Sequence, residues 1–149
     1  MHKLVYIPPP VIALTLIGLA FALEFWLLPG LPQYPLPVLG VLLMVPGILL
    51  AFSALFGFRR EKTTFVPHGE PTTLVILGPY RWTRNPMYVG LLTALAGFAV
   101  FLGKPLLYAA PVALFLVLDR VFIPYEEAKL IRLFGESYRE YLSQVRRWL

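Results

Sequence analysis

The sequence predicts an all-α integral membrane fold: four transmembrane helices in a single domain, 1–149, with an amphipathic interfacial helix at the end. Three observations predict it. First, the 149 residues are 58% hydrophobic and only 14% charged, with mean hydropathy +0.73, where soluble domains carry about 25% charged residues. Second, the charge deficit is concentrated in four apolar runs, and backbone hydrogen bonding leaves helices as the natural way to span a bilayer with such runs. Third, twelve of the thirteen lysines and arginines lie outside the two connections assigned to the far side. The composition leaves no room for a second domain. Cysteine is absent, which removes disulfides, Cys-based metal sites and thiol nucleophiles. The net charge of +5 fits membrane topology better than nucleic acid.

The first helix covers about residues 11–28, "VIALTLIGLAFALEFWLL", behind the triple proline Pro8–Pro10. A signal peptide with "AFA" as its cleavage site is the competing reading. It conflicts with an apolar run that continues to Leu28 and with prolines where a signal helix should begin. Glu24 is the one ionisable residue of this run, and an intramembrane charge is the mark of a transporter. A small four-helix transporter or exporter is therefore the alternative reading, although Glu24 lies toward the outer end, where solvation is easy. A non-enzymatic membrane adaptor, using the basic amphipathic tail, ranks behind it.

The second helix covers about 36–58, after the proline-rich, uncharged connection Pro29–Pro37. Pro46-Gly47 inside it predicts a kink. Gly40, Gly47, Ala51 and Ala54 share one face, and Gly90, Ala94 and Gly97 share a face of the third helix, about 86–102. Small residues of this kind mark packing faces between membrane helices. Gly103-Lys104-Pro105 turns the chain into the fourth helix, about 105–124, so these two helices form an antiparallel hairpin. The positive-inside rule puts both termini and the loop 59–85 in the cytoplasm, with Lys104 alone outside.

The tail 125–149 changes character. Leu130, Phe134, Tyr138, Tyr141, Val145 and Trp148 recur at steps of three and four, one apolar stripe on a charged helix that suits the inner leaflet. Packing on the protein's own loop is compatible with the same stripe. Gly135 divides the tail into two pieces.

One cytoplasmic stretch stands apart: "GPYRWTRNPMYVG", Gly78 to Gly90. Gly78-Pro79 makes a tight turn. Asn85 is a good N-cap and Pro86 suits the first helical position. Such a helix start offers free N–H groups and a positive dipole end to a carboxylate or phosphate. Arg81 and Arg84 bring guanidinium forks. Tyr80, Trp82 and Tyr88 bring aromatic faces for an adenine ring or a cation. Taken singly, each feature has an ordinary membrane-interface explanation; thirteen residues holding all of them point to a binding site. A second polar group, Asp119, Arg120, Glu126 and Glu127, ends the fourth helix. In a continuous helix Arg120 and Glu127 share a face. His2 and His68 are remote from these carboxylates, so no metal site follows.

"GPYRWTRNPMYVG", then a helical hairpin, then "YEEAKLIRLFGESYREY", resembles the integral-membrane methyltransferase superfamily. Its members include isoprenylcysteine carboxyl methyltransferases, phospholipid N-methyltransferases and short bacterial proteins. The resemblance covers Thr64 to Trp148. It implies S-adenosylmethionine as cofactor, enclosed by Gly78, Pro79, Tyr80, Arg81, Asn85, Tyr88 and Gly90 on one side and Glu126 and Glu127 on the other. Arg84, Asn85 and Glu127 then fall nearest the chemistry, with Trp82 and Arg120 toward the substrate. The implied partners are a lipophilic or amphiphilic acceptor and membrane lipids, at the inner or plasma membrane of a prokaryote. Carboxyl methyltransferases of the superfamily carry Arg-His-Pro where this chain has Arg84-Asn85-Pro86. Asn cannot titrate as a base. "NPMYVG" is closer to the N-methyltransferases and "FGESYREY" to the carboxyl methyltransferases, so carboxylate and amine acceptors both stay open.

Overall fold

The computed structural model describes residues 2–60 and 71–149. Residues 61–70, with Lys62, Thr64 and His68 of the 59–85 loop, lie outside the described residues. The described chain is helical almost throughout. Its helices are α1 (Pro9–Leu27), α2 (Pro37–Arg60), α3 (Pro86–Leu102), α4 (Ala109–Val117), α5 (Ile123–Phe134) and α6 (Glu136–Gln144). Short 3-10 turns occur at His2–Tyr6, Gly78–Arg81 and Pro105–Tyr108. A π-helical turn, Leu118–Phe122, joins α4 to α5.

The fourth helix does not stop near residue 124. It continues from Pro105 to Phe134 as one stretch of 30 residues. The π turn explains how it passes Pro124. A proline has no N–H to donate and its ring crowds the carbonyl four residues back, and wider spacing just before it relieves both problems. Three helical stretches, Pro9–Leu27, Pro37–Arg60 and Pro105–Phe134, are long and apolar enough to cross a membrane; α3, with 17 residues, is shorter.

α2 and α3 pack closest of all. A Cβ on Gly47 would stand 2.6 Å from Ala94 N, and one on Gly90 would stand 2.5 Å from Gly47 O. Gly97 meets the Met44 backbone and Gly40 meets Phe101 in the same way. The helices are therefore antiparallel with backbones in contact, and each glycine is there because no side chain fits. α1 packs on α4 and on the turn before it. The main core joins Ala13, Tyr88, Leu95, Leu114, Leu118 and Phe122, closed by Val5 from the first turn.

The two ends of the bundle differ. At one, Tyr34 N–H donates to Gly103 O at 3.0 Å and Lys104 Nζ meets Glu24 Oε1 at 2.6 Å. Glu24 is thus buried and paired in a helix-end staple, which answers the transporter reading of this residue. Gly103 terminates α3 in the left-handed region, φ 64°, where glycine carries no steric cost. The other end gathers the Gly78–Asn85 stretch, α5, α6 and the segment after α6.

Gly135 (φ 54°) breaks the tail so that α6 folds back. The apolar stripe of α6 lies on the protein itself: Tyr138 and Tyr141 are 3% and 7% exposed. These side chains are not available to face lipid, which removes two anchors from the interfacial reading.

Candidate active site

An open cleft lies at this second end, its roughly 880 Å³ of empty space running out into open solvent. It is lined by Tyr80, Arg84 and Asn85 from the stretch leading into α3 and Tyr88 from its first turn, by Glu126, Glu127, Lys129 and Leu130 from α5, and by Tyr138 and Tyr141 from α6. Phe58 at the end of α2, Met87, and Pro71, Thr73, Leu74 and Val75 complete the wall.

Two polar pairs cross the cleft from α3 to α5. Tyr88 Oη donates to Glu126 Oε1 at 2.6 Å. Arg84 Nη1 stands 3.3 Å from Glu127 Oε1. Glu127 is also gripped by Arg147, whose Nη2 and Nε donate to its two oxygens at 2.6 and 3.3 Å. Buried Arg84 Nε has no hydrogen-bond partner among the described residues. A buried donor without a partner costs about 1–3 kcal/mol, and a ligand carboxylate entering the cleft would meet that need. Tyr141 Oη donates to Tyr80 O at 2.7 Å, tying α6 to the turn before α3. The Phe58 and Tyr80 rings meet edge to face at 5.5 Å.

Burial raises the phenol pKa values here. Desolvation pushes Tyr141 up to about 12, and it raises Tyr80 and Tyr138 further. These groups stay neutral at physiological pH and act as hydrogen-bond donors and ring faces rather than as bases.

Asn85 occupies the cap position of α3, yet its side chain makes no cap bond. Its Nδ2 donates to Arg147 O at 2.9 Å instead. The first-turn N–H groups are also largely used. Pro86 has none, and the Tyr88 and Val89 N–H groups both go to Asn85 O, leaving Met87. The helix start is therefore a smaller anion site than the sequence suggested.

Residues 36–137 match the sequence profile of the family described as phospholipid methyltransferase. The chain belongs to this integral-membrane methyltransferase family. It is 33% identical over 140 residues to protein-S-isoprenylcysteine O-methyltransferase A of Arabidopsis thaliana, covering 90% of this chain and 70% of that protein. It is 38% identical over 135 residues to the Homo sapiens protein-S-isoprenylcysteine O-methyltransferase, covering 85% of this chain and 46% of the human one. In fold, it resembles the solved structure of a eukaryotic intramembrane Ras methyltransferase, isoprenylcysteine carboxyl methyltransferase. The TM-score is 0.66 at 24% identity, with 97% of this chain and 52% of that chain covered. The chain thus spans about half the length of the human relative and of the solved structure. It is a membrane methyltransferase.

Of the residues singled out in the sequence, Tyr80, Arg84, Asn85, Tyr88, Glu126 and Glu127 line the cleft. Gly78, Pro79, Arg81, Trp82, Gly90 and Arg120 do not. Gly78 and Pro79 open the turn that carries Tyr80. Gly90 is a packing residue against α2. Trp82 is 77% exposed. The Arg120 side chain is equally exposed and pairs with Asp119; Arg120 lies within the π turn, whose wider spacing breaks the common face that a regular helix would give it with Glu127. Tyr138, Tyr141 and Lys129 join the cleft without having been assigned to it. The two tyrosines were visible in the stripe, but their partner surface is sixty residues away in sequence.

Proposed function

We propose that the cleft binds S-adenosylmethionine and that the protein methylates a carboxylate on a lipophilic or amphiphilic acceptor. The observation that carries this reading is the convergence, in a member of a methyltransferase family, of the Tyr88–Glu126 and Arg84–Glu127 pairs on one cleft, with a buried Arg84 Nε that has no partner among the described residues. When bound, S-adenosylmethionine supplies a methyl group on a positively charged sulfonium. The chain's residues match its parts. Arg84 meets the amino-acid carboxylate through its free Nε. Glu126 and Glu127 hold negative charge for the ammonium. Tyr80 and Tyr138 offer ring faces to the adenine, and the tyrosine faces attract a cation. The surrounding apolar wall excludes water and fixes the reactants, which is the main help such a displacement needs.

A carboxylate acceptor is already anionic and needs no base, which suits Asn85 and a cleft whose phenols stay neutral. The isoprenylcysteine O-methyltransferase relatives support the same choice. The match to the phospholipid methyltransferase family favours an amine acceptor as the second reading.

α3 serves as the fourth span, with its short length offset by close packing on α2. The cleft and both ends of the chain face the cytoplasm of a prokaryote, where S-adenosylmethionine is made, and Glu24–Lys104 lies at the outer face. The twelve basic residues away from Lys104 support this orientation. Exposed Trp82, Arg81 and Arg120 sit outside the cleft, where the acceptor and lipid headgroups approach. Titrating detergent-purified protein with S-adenosylhomocysteine tests the cofactor. Measurable saturable binding supports the reading, and none at millimolar ligand counts against it.

A further inference from the structure

The short segment after α6 makes several polar contacts with the site, though it contributes no side chain to the cleft lining. Its backbone carbonyls bind the stretch that leads into α3. Arg146 O accepts from Arg84 N–H at 2.9 Å, and Arg147 O accepts from Thr83 Oγ1 at 3.0 Å and from Asn85 Nδ2 at 2.9 Å. Its side chains bind the fourth helix. Arg147 reaches both Glu127 (2.6 Å) and Asp119 (3.5 Å). The Trp148 indole N–H donates to Asp119 Oδ1 at 2.9 Å, and its ring packs on Phe115 at 4.9 Å.

The geometry is that of a clamp. Arg84, Asn85 and Glu127 belong to two elements, and this segment touches all three. Asp119 and Phe115 anchor the clamp about two and three turns below Glu127. Glu127 is left held between Arg147 and Arg84, with Arg147 the shorter contact of the two. Without Arg147, the Glu127 carboxylate would depend on Arg84 alone, and Arg84 would be drawn toward Glu127 rather than left with its Nε free for a ligand.

We infer that Arg147 is a positioning residue of the methyltransferase site: it holds Glu127 in place from behind, so that Arg84 and Glu127 present a fixed pair of charges to the methyl donor. The inference rests on the functional reading above and extends it to a residue outside the cleft.

The test is calorimetric titration of S-adenosylhomocysteine into the wild type, Arg147→Ala, Arg147→Lys, Glu127→Gln and the double variant Arg147→Ala/Glu127→Gln. Arg147 is half-exposed, so the expected loss for Arg147→Ala is about three- to ten-fold, toward the low end for a hydrogen bond to a charged group. Arg147→Lys, which keeps charge but loses the fork, falls between. In the Glu127→Gln background, removing Arg147 costs nothing further, because its target is gone. Millimolar guanidinium restores part of the affinity of Arg147→Ala and none of that of Glu127→Gln. Unfolding temperature is read alongside. If Arg147→Ala lowers that temperature yet binds like wild type, or if the two losses add in full, Arg147 is a structural residue only and the inference fails. If Arg147→Ala does not fold, the comparison is carried by Arg147→Lys in the two Glu127 backgrounds, with the same two outcomes. No binding by the wild type overturns the functional reading and this inference with it; normal wild-type binding with unaffected variants overturns this inference alone.

Discussion

Tyr88 and Glu126, 38 residues apart, meet in a 2.6 Å hydrogen bond that ties the start of α3 to the first turn of α5. Removing the hydroxyl leaves a carboxylate oxygen facing the cleft wall without its donor. Tyr88→Phe should weaken S-adenosylhomocysteine binding by about ten-fold, the scale of a hydrogen bond to a charged group. Glu126→Gln keeps an acceptor for Tyr88 and should keep the fold, while losing the charge offered to the ligand. Calorimetry on both variants checks the pair. A wild-type affinity in Tyr88→Phe would show that the ring, not the hydroxyl, is what the site uses.

Arg84 and Glu127 stand 3.3 Å apart, so their substitutions should not add. Glu127→Gln and Arg84→Ala should each lower affinity by roughly ten-fold or more, and the double variant should lose less than the product of the two. Full additivity in the same titration would mean that the pair acts on separate ligands or on none.

Gly90 has α2 backbone at 2.5 Å from where its Cβ would lie. Gly90→Val should force α2 and α3 apart and lower stability by about 1–3 kcal/mol or more. Thermal unfolding in detergent reads this directly. Gly18, which has nothing within 4 Å, is the control: Gly18→Ala should leave the unfolding temperature unchanged or slightly raised.

Tyr141 has its pKa raised to about 12 by burial, against about 10 in the unfolded chain. A raised phenol favours the folded state while it stays protonated. That contribution is present below pH 10 and is lost as the pH climbs through 12. Tyr141→Phe should therefore flatten the fall in stability between those values, while losing about 1 kcal/mol at neutral pH for the bond to Tyr80 O. Unfolding temperature against pH for the two proteins is the measurement.

Orientation is tested through the absence of native cysteine. A cysteine at Gln33 should react with an impermeant maleimide only from outside intact cells, and one at Ser137 only after permeabilisation. Labelling of Gln33→Cys from the cytoplasmic side alone would reverse the orientation.

Much of this was written in local pattern. Gly40 and Gly47 face Gly97 and Gly90 because a spacing of seven keeps residues on one helical face, and glycine there has no purpose but close approach. Arg84, Tyr88 and Glu127 were legible as polar residues close to the edges of apolar runs, and the structure brings all three to one cleft. The remainder depends on chain reversal, which local pattern does not encode. Whether Tyr138 and Tyr141 face lipid or protein turns on the direction taken after Gly135. Asn85 does occupy the cap position of α3, but the bond its side chain makes was not legible, because the partner, Arg147 O, lies 62 residues away and is a backbone atom with no sequence signature. Arg120 was paired with Glu127 on the assumption of a regular helix, and the π turn before Pro124 removes that regularity.

The most direct test of the central claim is transfer itself. The purified protein is incubated with methyl-labelled S-adenosylmethionine and two amphiphiles that share one lipid tail, one ending in a carboxylate and the other in a primary amine. The account predicts label on the carboxylate amphiphile, released as methanol by mild alkali, and loss of that transfer in Glu127→Gln. Alkali-stable label on the amine alone, or transfer undiminished in Glu127→Gln, would contradict it.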